Sequence, residues 1–148
     1  MAIIDSYAYE PMVGDPDDHR PNTTWSLVVD PERADGGYVR GLTVLWERCA
    51  AGDRIPLHTH NIDEVIIIDD GDAEVTVGDE RRRVGAGAVV FVPAGTPHGN
   101  RNAGTGVLSL HAIFGSPQID ITYIERNPAP GTEGEAPQPP SVYDARQP

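Results

Sequence analysis

Apolar and polar residues alternate in short runs along most of this chain, and the period is two. From Leu42 to Glu47 the alternation puts Leu42, Val44 and Trp46 on one face of an extended segment and Thr43, Leu45 and Glu47 on the other. That pattern predicts a strand over Tyr38 to Cys49. Comparable runs cover Thr24 to Asp30, Ile55 to His60, Glu64 to Ile68, Ala73 to Val77, Glu80 to Val84, Ala88 to Val92, Val107 to Phe114 and Ile119 to Glu125. Turn signals stand between them. Asp69-Asp70-Gly71-Asp72 reads as a tight hairpin, and Gly78-Asp79 as a two-residue turn whose twist suits the flanking strands. No long stretch carries the i, i+3, i+4, i+7 apolar stripe of an amphipathic helix. The expectation is an all-β sandwich, jelly roll or barrel with almost no helix.

The pattern fades at both ends. Residues 1–23 are acidic and rich in turn formers, notably Asp15-Pro16-Asp17-Asp18-His19-Arg20-Pro21, and read as an N-terminal arm. Residues 24–126 hold the strands. Residues 127–148 are rich in Pro, Gly, Glu and Gln without apolar periodicity, which predicts an extended or disordered tail, or one pinned across the surface. Asp30-Pro31 to Gly37 reads as a loop.

Charge narrows the function classes. Of the 148 residues 23 are Asp or Glu and 11 are basic, every one of them arginine, for a net charge of −12. The absence of lysine excludes Schiff-base chemistry and the lysine-bearing phosphate loop. The acidity argues against nucleic acid or an anionic membrane as partner. The single cysteine, Cys49, forms no internal disulfide and reads as a packing residue. The N-terminal residues lack the basic-then-apolar pattern of a secretory signal and no apolar run is long enough to span a bilayer, so the expected location is cytoplasmic.

The candidate chemistry lies on the strands. His58 and His60, one residue apart, point to the same face. Glu64 follows at even spacing across Asn61-Ile62-Asp63 and can return to that face. His98 follows the rigid Pro93-Ala94-Gly95-Thr96-Pro97 turn, which aims it from another strand. Three imidazoles and a carboxylate converging inside a barrel suit one divalent transition metal such as iron, manganese, nickel or zinc. The lack of thiolate ligands argues against a closed structural zinc site.

The surrounding spacing is richer than a His-x-His pair. Gly52, His58, His60, Glu64 and Gly71 form one block, and Gly87, Pro93, Gly95, His98 and Asn102 a second. This arrangement resembles the cupin family, whose two motifs read G-x5-H-x-H-x3-4-E-x6-G and G-x5-P-x-G-x2-H-x3-N. The likeness covers about residues 40 to 115. It implies a double-stranded β-helix, or jelly-roll barrel, with a metal in its mouth held by His58, His60, Glu64 and His98. Asn102 is expected to tie down a turn, and Gly71 and Gly95 to take positive φ.

Other residues carry two readings each. His111 shares a face with Val107, Ser109 and Ile113; were that face internal, it would be the acid/base group near the metal, and otherwise an outward or satisfied histidine. Arg54 and Arg101 are candidates to hold an anionic substrate against the overall negative field, with Arg82 as a third, and surface ion pairs are the competing account. Trp25 and Trp46 read as core or interface residues.

The expected partner is a small organic molecule. Three functions compete, with the first slightly favoured: a metal-dependent enzyme of the dioxygenase type; a non-redox isomerase, cyclase or lyase using the metal as a Lewis acid; and a barrel that binds a small molecule without turnover. The likeness to small cupins also implies a homodimer, with Ile3-Ile4 or Thr24 to Asp30 supplying an added strand.

Overall fold

In the computed structural model, residues 4–5, 7–29 and 41–144 are described. Their strands are β1 (Glu10–Met12), β2 (Arg20–Val29), β3 (Thr43–Cys49), β4 (Arg54–Thr59), β5 (Glu64–Asp70), β6 (Asp72–Val77), β7 (Glu80–Gly85), β8 (Val89–Val92), β9 (His98–Asn102), β10 (Leu108–Phe114), β11 (Gln118–Tyr123) and β12 (Ser141–Asp144). They build two six-stranded sheets, in the orders β1-β2-β3-β10-β5-β8 and β12-β11-β4-β9-β6-β7. Every strand pairing is antiparallel. The fold is all-β, as the alternation predicts. No helix of the described residues is long and apolar enough to cross a membrane.

Alternation decides which residues meet. Along β10, Leu108, Leu110, Ala112 and Phe114 are buried while Ser109, His111 and Ile113 are half-buried on the other face. Ile66 and Ile68 of β5, Ala73 and Val75 of β6, and Val92 of β8 join them between the sheets. Full burial of one such aliphatic side chain stabilises the fold by about 1.5–3 kcal/mol. The β5–β6 hairpin depends on Gly71, at φ +91°. A Cβ there would lie 2.9 Å from the Val107 carbonyl oxygen and 3.1 Å from the Leu108 Cα, so neither conformation nor space admits a side chain.

Three strands depart from the alternation signal. β9 reads His-Gly-Asn-Arg-Asn, a composition poor in strand formers, and is imposed by pairing with β4 on one side and β6 on the other. β1 and β12 close the outer edges of the two sheets, where Pro11 in β1 is tolerated. β2 begins at Arg20, ahead of Thr24. Pro21 fits because the β1–β2 register skips from Thr24 to Arg20, leaving it without a ladder partner on β1. Residues 30–40, which include the expected loop and the first part of the expected strand from Tyr38, lie outside the described residues, as does Ile3.

The two flanking segments meet. Asp18 bridges Asn127 in parallel, the His19 amide donates to the Asn127 carbonyl at 2.9 Å, and the Asn127 amide donates to the Asp17 carbonyl at 2.7 Å. Asp17, fully buried, also accepts from Arg126 Nε and from the Gln138 amide.

Candidate metal centre

His58 on β4, His60 just after it, Glu64 at the head of β5 and His98 at the head of β9 project between the sheets, each no more than 5 % exposed. His58 and His98 are register partners across the β4–β9 ladder. Phe114 is the register partner of Glu64, and its ring meets His60 edge-on at 5.3 Å between centroids.

Each imidazole is oriented by a backbone carbonyl. His58 Nδ1 donates to the Pro56 carbonyl at 2.7 Å, His98 Nδ1 to the Thr96 carbonyl at 2.9 Å, and His60 Nδ1 to the Asp120 carbonyl. With the proton on Nδ1, all three Nε2 atoms present lone pairs to the interior. There they crowd together. His58 Nε2 lies 3.1 Å from His60 Nε2, His98 Nε2 lies 2.8 Å from Glu64 Oε2, and one ligand atom from each residue falls within 4.8 Å of the others.

Glu64 Oε2 and His98 Nε2 are buried without a hydrogen-bond partner although they nearly touch, since each is an acceptor. Burial, reinforced by His98 and His60, holds the His58 imidazole well below its usual range. Burial also lowers that of His60, although Glu64 pulls the other way. Acceptor atoms buried face to face repel unless a cation lies between them. These donors fit a divalent transition ion.

A second buried polar cluster stands beside this one, and the sequence reading did not anticipate it. Arg20 Nε and Nη2 donate to the two carboxylate oxygens of Asp18 at 2.8 and 2.7 Å, and Arg20 Nη1 donates to Glu47 Oε1 at 2.7 Å. All three residues are buried. Burial pushes both carboxyl groups up, against the pull of Arg20. For Arg20 itself, burial opposes the charge, and Glu47 followed by Asp18 outweighs it, so the guanidinium stays protonated. One signal was available: Glu47 shares the inward parity of Leu45 and Cys49, where a charge demands a buried counter-ion. Nearby, Tyr123 donates to Asp15 Oδ2 at 2.6 Å, with its ring 6.2 Å from that of His58; burial pushes its phenol up.

The remaining candidates lie elsewhere. His111 is on the outer face of its sheet, opposite Leu110 and Ala112, stacked on Trp46 at 4.6 Å, with Nδ1 2.9 Å from Asp69 Oδ2. Strand parity turns the ring away from the cluster, so His111 is not placed to act as an acid/base group beside it. Arg54 is committed to the C-terminal segment, through Asn127 Oδ1 at 2.9 Å, Glu125 Oε2 at 2.7 Å and the Arg126 carbonyl at 3.1 Å. Arg101 points outward from β9, on the opposite face from His98. Arg54 and Arg101 do come together, in a groove of about 420 Å³ on the outside of the second sheet that also includes Glu74 and Arg81. Arg82 is exposed and pairs with Glu80 at 2.7 Å. Cys49 is buried with its thiol pushed up to about 12, as suits a packing residue.

The family model described as Cupin domain matches residues 45–114. An uncharacterized protein of Streptomyces coelicolor is 38 % identical over 77 residues, covering 47 % of this chain and 73 % of that protein. The chain belongs to the cupin family. Solved structures share the fold. KdgF from Halomonas sp. superposes with a TM-score of 0.59 at 17 % identity, covering 74 % of this chain and 86 % of that one. The polyketide cyclase RemF from Streptomyces resistomycificus gives 0.59 at 20 % identity, covering 80 % and 75 %. This cupin has a potential four-residue metal site in place, and the motif glycines Gly71 and Gly95 both take positive φ.

Proposed function

We propose that this cupin is a metal-dependent enzyme acting on a small organic molecule beside a divalent ion held by His58, His60, Glu64 and His98. One observation carries the reading: acceptor atoms are buried face to face, with Glu64 Oε2 and His98 Nε2 2.8 Å apart and unpartnered. When bound, the ion supplies Lewis acidity toward an oxygen-bearing substrate. Three neutral imidazoles and one carboxylate leave a divalent ion with net positive charge, so a substrate with an anionic or polarised oxygen is favoured. The chain's own groups do the rest. The Pro56, Thr96 and Asp120 carbonyls fix the ring orientations, Phe114 excludes water beside His60, and Tyr123 holds its proton as a fixed donor to Asp15.

Non-redox conversion is the preferred chemistry, and the cyclase named among the structural neighbours supports it. Dioxygenase-type chemistry is the second reading, favoured by a nitrogen and oxygen donor set that also suits iron. Metal analysis of protein purified without added metal tests the site; less than about a tenth of an equivalent of every transition metal, with no uptake on reconstitution, removes it. A screen of catechols, β-diketones, flavonols and organic acids then separates the chemistries. Turnover undiminished without oxygen supports the first, and stoichiometric oxygen uptake the second. Tight binding without turnover would make the protein a binding barrel. A homodimer is also proposed, since the edge strand β8 leaves Val89 and Phe91 exposed; a monomeric sedimentation mass contradicts it.

A further inference from the structure

Among the described residues, three buried side-chain polar atoms lack a hydrogen-bond partner: Glu64 Oε2, His98 Nε2 and Asn100 Oδ1. The candidate metal accounts for the first two. Asn100 is not in the ligand set, and its amide needs a separate explanation.

The placement of Asn100 is specific. Burial alternates along β9, so His98, Asn100 and Asn102 share the inward face while Gly99 and Arg101 face out. Same-face neighbours on a strand lie about 7 Å apart, so Asn100 sits one rung from the innermost imidazole, His98, whose exposure is 2 %. It is itself only 4 % exposed. Its neighbour Asn102 makes a useful contrast. Asn102 Nδ2 donates to the Cys49 carbonyl at 3.0 Å and to the Gly106 carbonyl at 2.7 Å, and its Oδ1 accepts from the Gly104 amide at 2.9 Å. One asparagine ties loops together; the other, on the same face, leaves its Oδ1 unpartnered. A structural amide at that depth would be paired, and an apolar residue would serve the core better.

We infer that Asn100 is a substrate-positioning residue whose Oδ1 accepts a hydrogen bond from a hydroxyl or amino group of the molecule bound beside the metal. The inference rests on the metal-site reading above and adds a property of the ligand: it carries a hydrogen-bond donor near the oxygen that approaches the ion. A molecule offering only acceptors leaves Asn100 unpaired, so the barrel discriminates against it.

The test uses cobalt(II)-loaded full-length protein, followed through its visible absorption, titrated with glycolate and with methoxyacetate. The two probes share a carboxylate and an α-oxygen, and differ in whether that oxygen carries a donor hydrogen. Wild type is expected to prefer glycolate by about fivefold, the range of one hydrogen bond to a buried acceptor. Asn100→Leu, similar in size but without an acceptor, should lose that preference while keeping its cobalt stoichiometry. Asn100→Asp, which restores an acceptor, should regain it. A wild type that takes up no cobalt sinks the metal-site reading, and the ligand inference falls with it. A cobalt-loaded wild type that fails to distinguish the probes, whether it binds both equally or neither, overturns the Asn100 assignment alone. So does an Asn100→Leu variant that keeps the preference or loses its metal.

Discussion

Two polar clusters are buried inside this barrel, and they are built on opposite principles. Around Arg20 every charge has its counterpart: a guanidinium forks onto Asp18 and reaches Glu47, all within 2.8 Å. Around His98 the groups are matched like to like, with lone pairs facing lone pairs at comparable distances. The first cluster is complete as it stands, so its role is to join the segment ahead of β2 to β3. The second is internally repulsive and becomes favourable only when something positive enters. Burial alone therefore does not mark a functional site. The discriminating feature is whether the buried groups satisfy one another.

Substitutions that remove one partner should separate the clusters. Arg20→Met leaves two buried carboxylates without their cation and should destabilise the fold by about 3–5 kcal/mol, read by urea unfolding. A loss of under about 1 kcal/mol would mean that the triad contributes little beyond packing. His98→Ala should do the reverse. Metal affinity should fall at least about 100-fold, more than loss of a group that only orients a ligand, while the β-type circular dichroism is retained. Unchanged metal stoichiometry would remove His98 from the ligand set.

Glu64→Gln sharpens the contrast further, because its two effects have opposite sign. The new amide can donate to His98 Nε2, so the metal-free protein should gain about 1 kcal/mol while metal binding weakens. An apo protein that loses stability would show that Glu64 and His98 are not a pair of opposed acceptors.

Acid should act on the metal-free protein through His58 and His60. Both are held below their usual value in the folded state, so the unfolded chain binds more protons, and folding stability rises with pH. The contribution is present above the unfolded value of 6.5 and is lost as pH falls below it. Melting temperature in the absence of metal should drop between about pH 7 and pH 5, and His58→Ala should flatten that dependence. The smallest effect is expected at the surface: Arg82→Ala removes an exposed pair with Glu80 and should leave the melting temperature unresolved from wild type.

Much of this was legible in the chain because the signals were local. Period-two alternation locates the strands from β3 to β8, and the spacing of His58, His60, Glu64 and His98 places four side chains on one inward surface. What escaped was set by distant partners. β9 has a sequence no propensity would choose, and exists because β4 and β6 offer backbone hydrogen bonds on both sides. Arg20 looked like part of an acidic arm because its partner Glu47 lies 27 residues away. His111 had an ambiguous face until the partners of Leu110 and Ala112 fixed which side of β10 is core. Asn100 carries no signal in the sequence, because its absent hydrogen bond is visible only in three dimensions.

The carbonyl of Asp120 that turns His60 toward the cluster belongs to β11, sixty residues further along the chain. The bridge from Asp18 to Asn127 spans still more sequence. Closing such long loops is entropically unfavourable before the enclosed contacts reward it. During synthesis the first two imidazoles therefore emerge well before the strand that orients one of them. The His60 ring is therefore expected to take its orientation only once β11 is in place. Completion of the candidate metal centre is thus expected to be late, with a rate that follows the docking of β11 and not the arrival of His58 and His60.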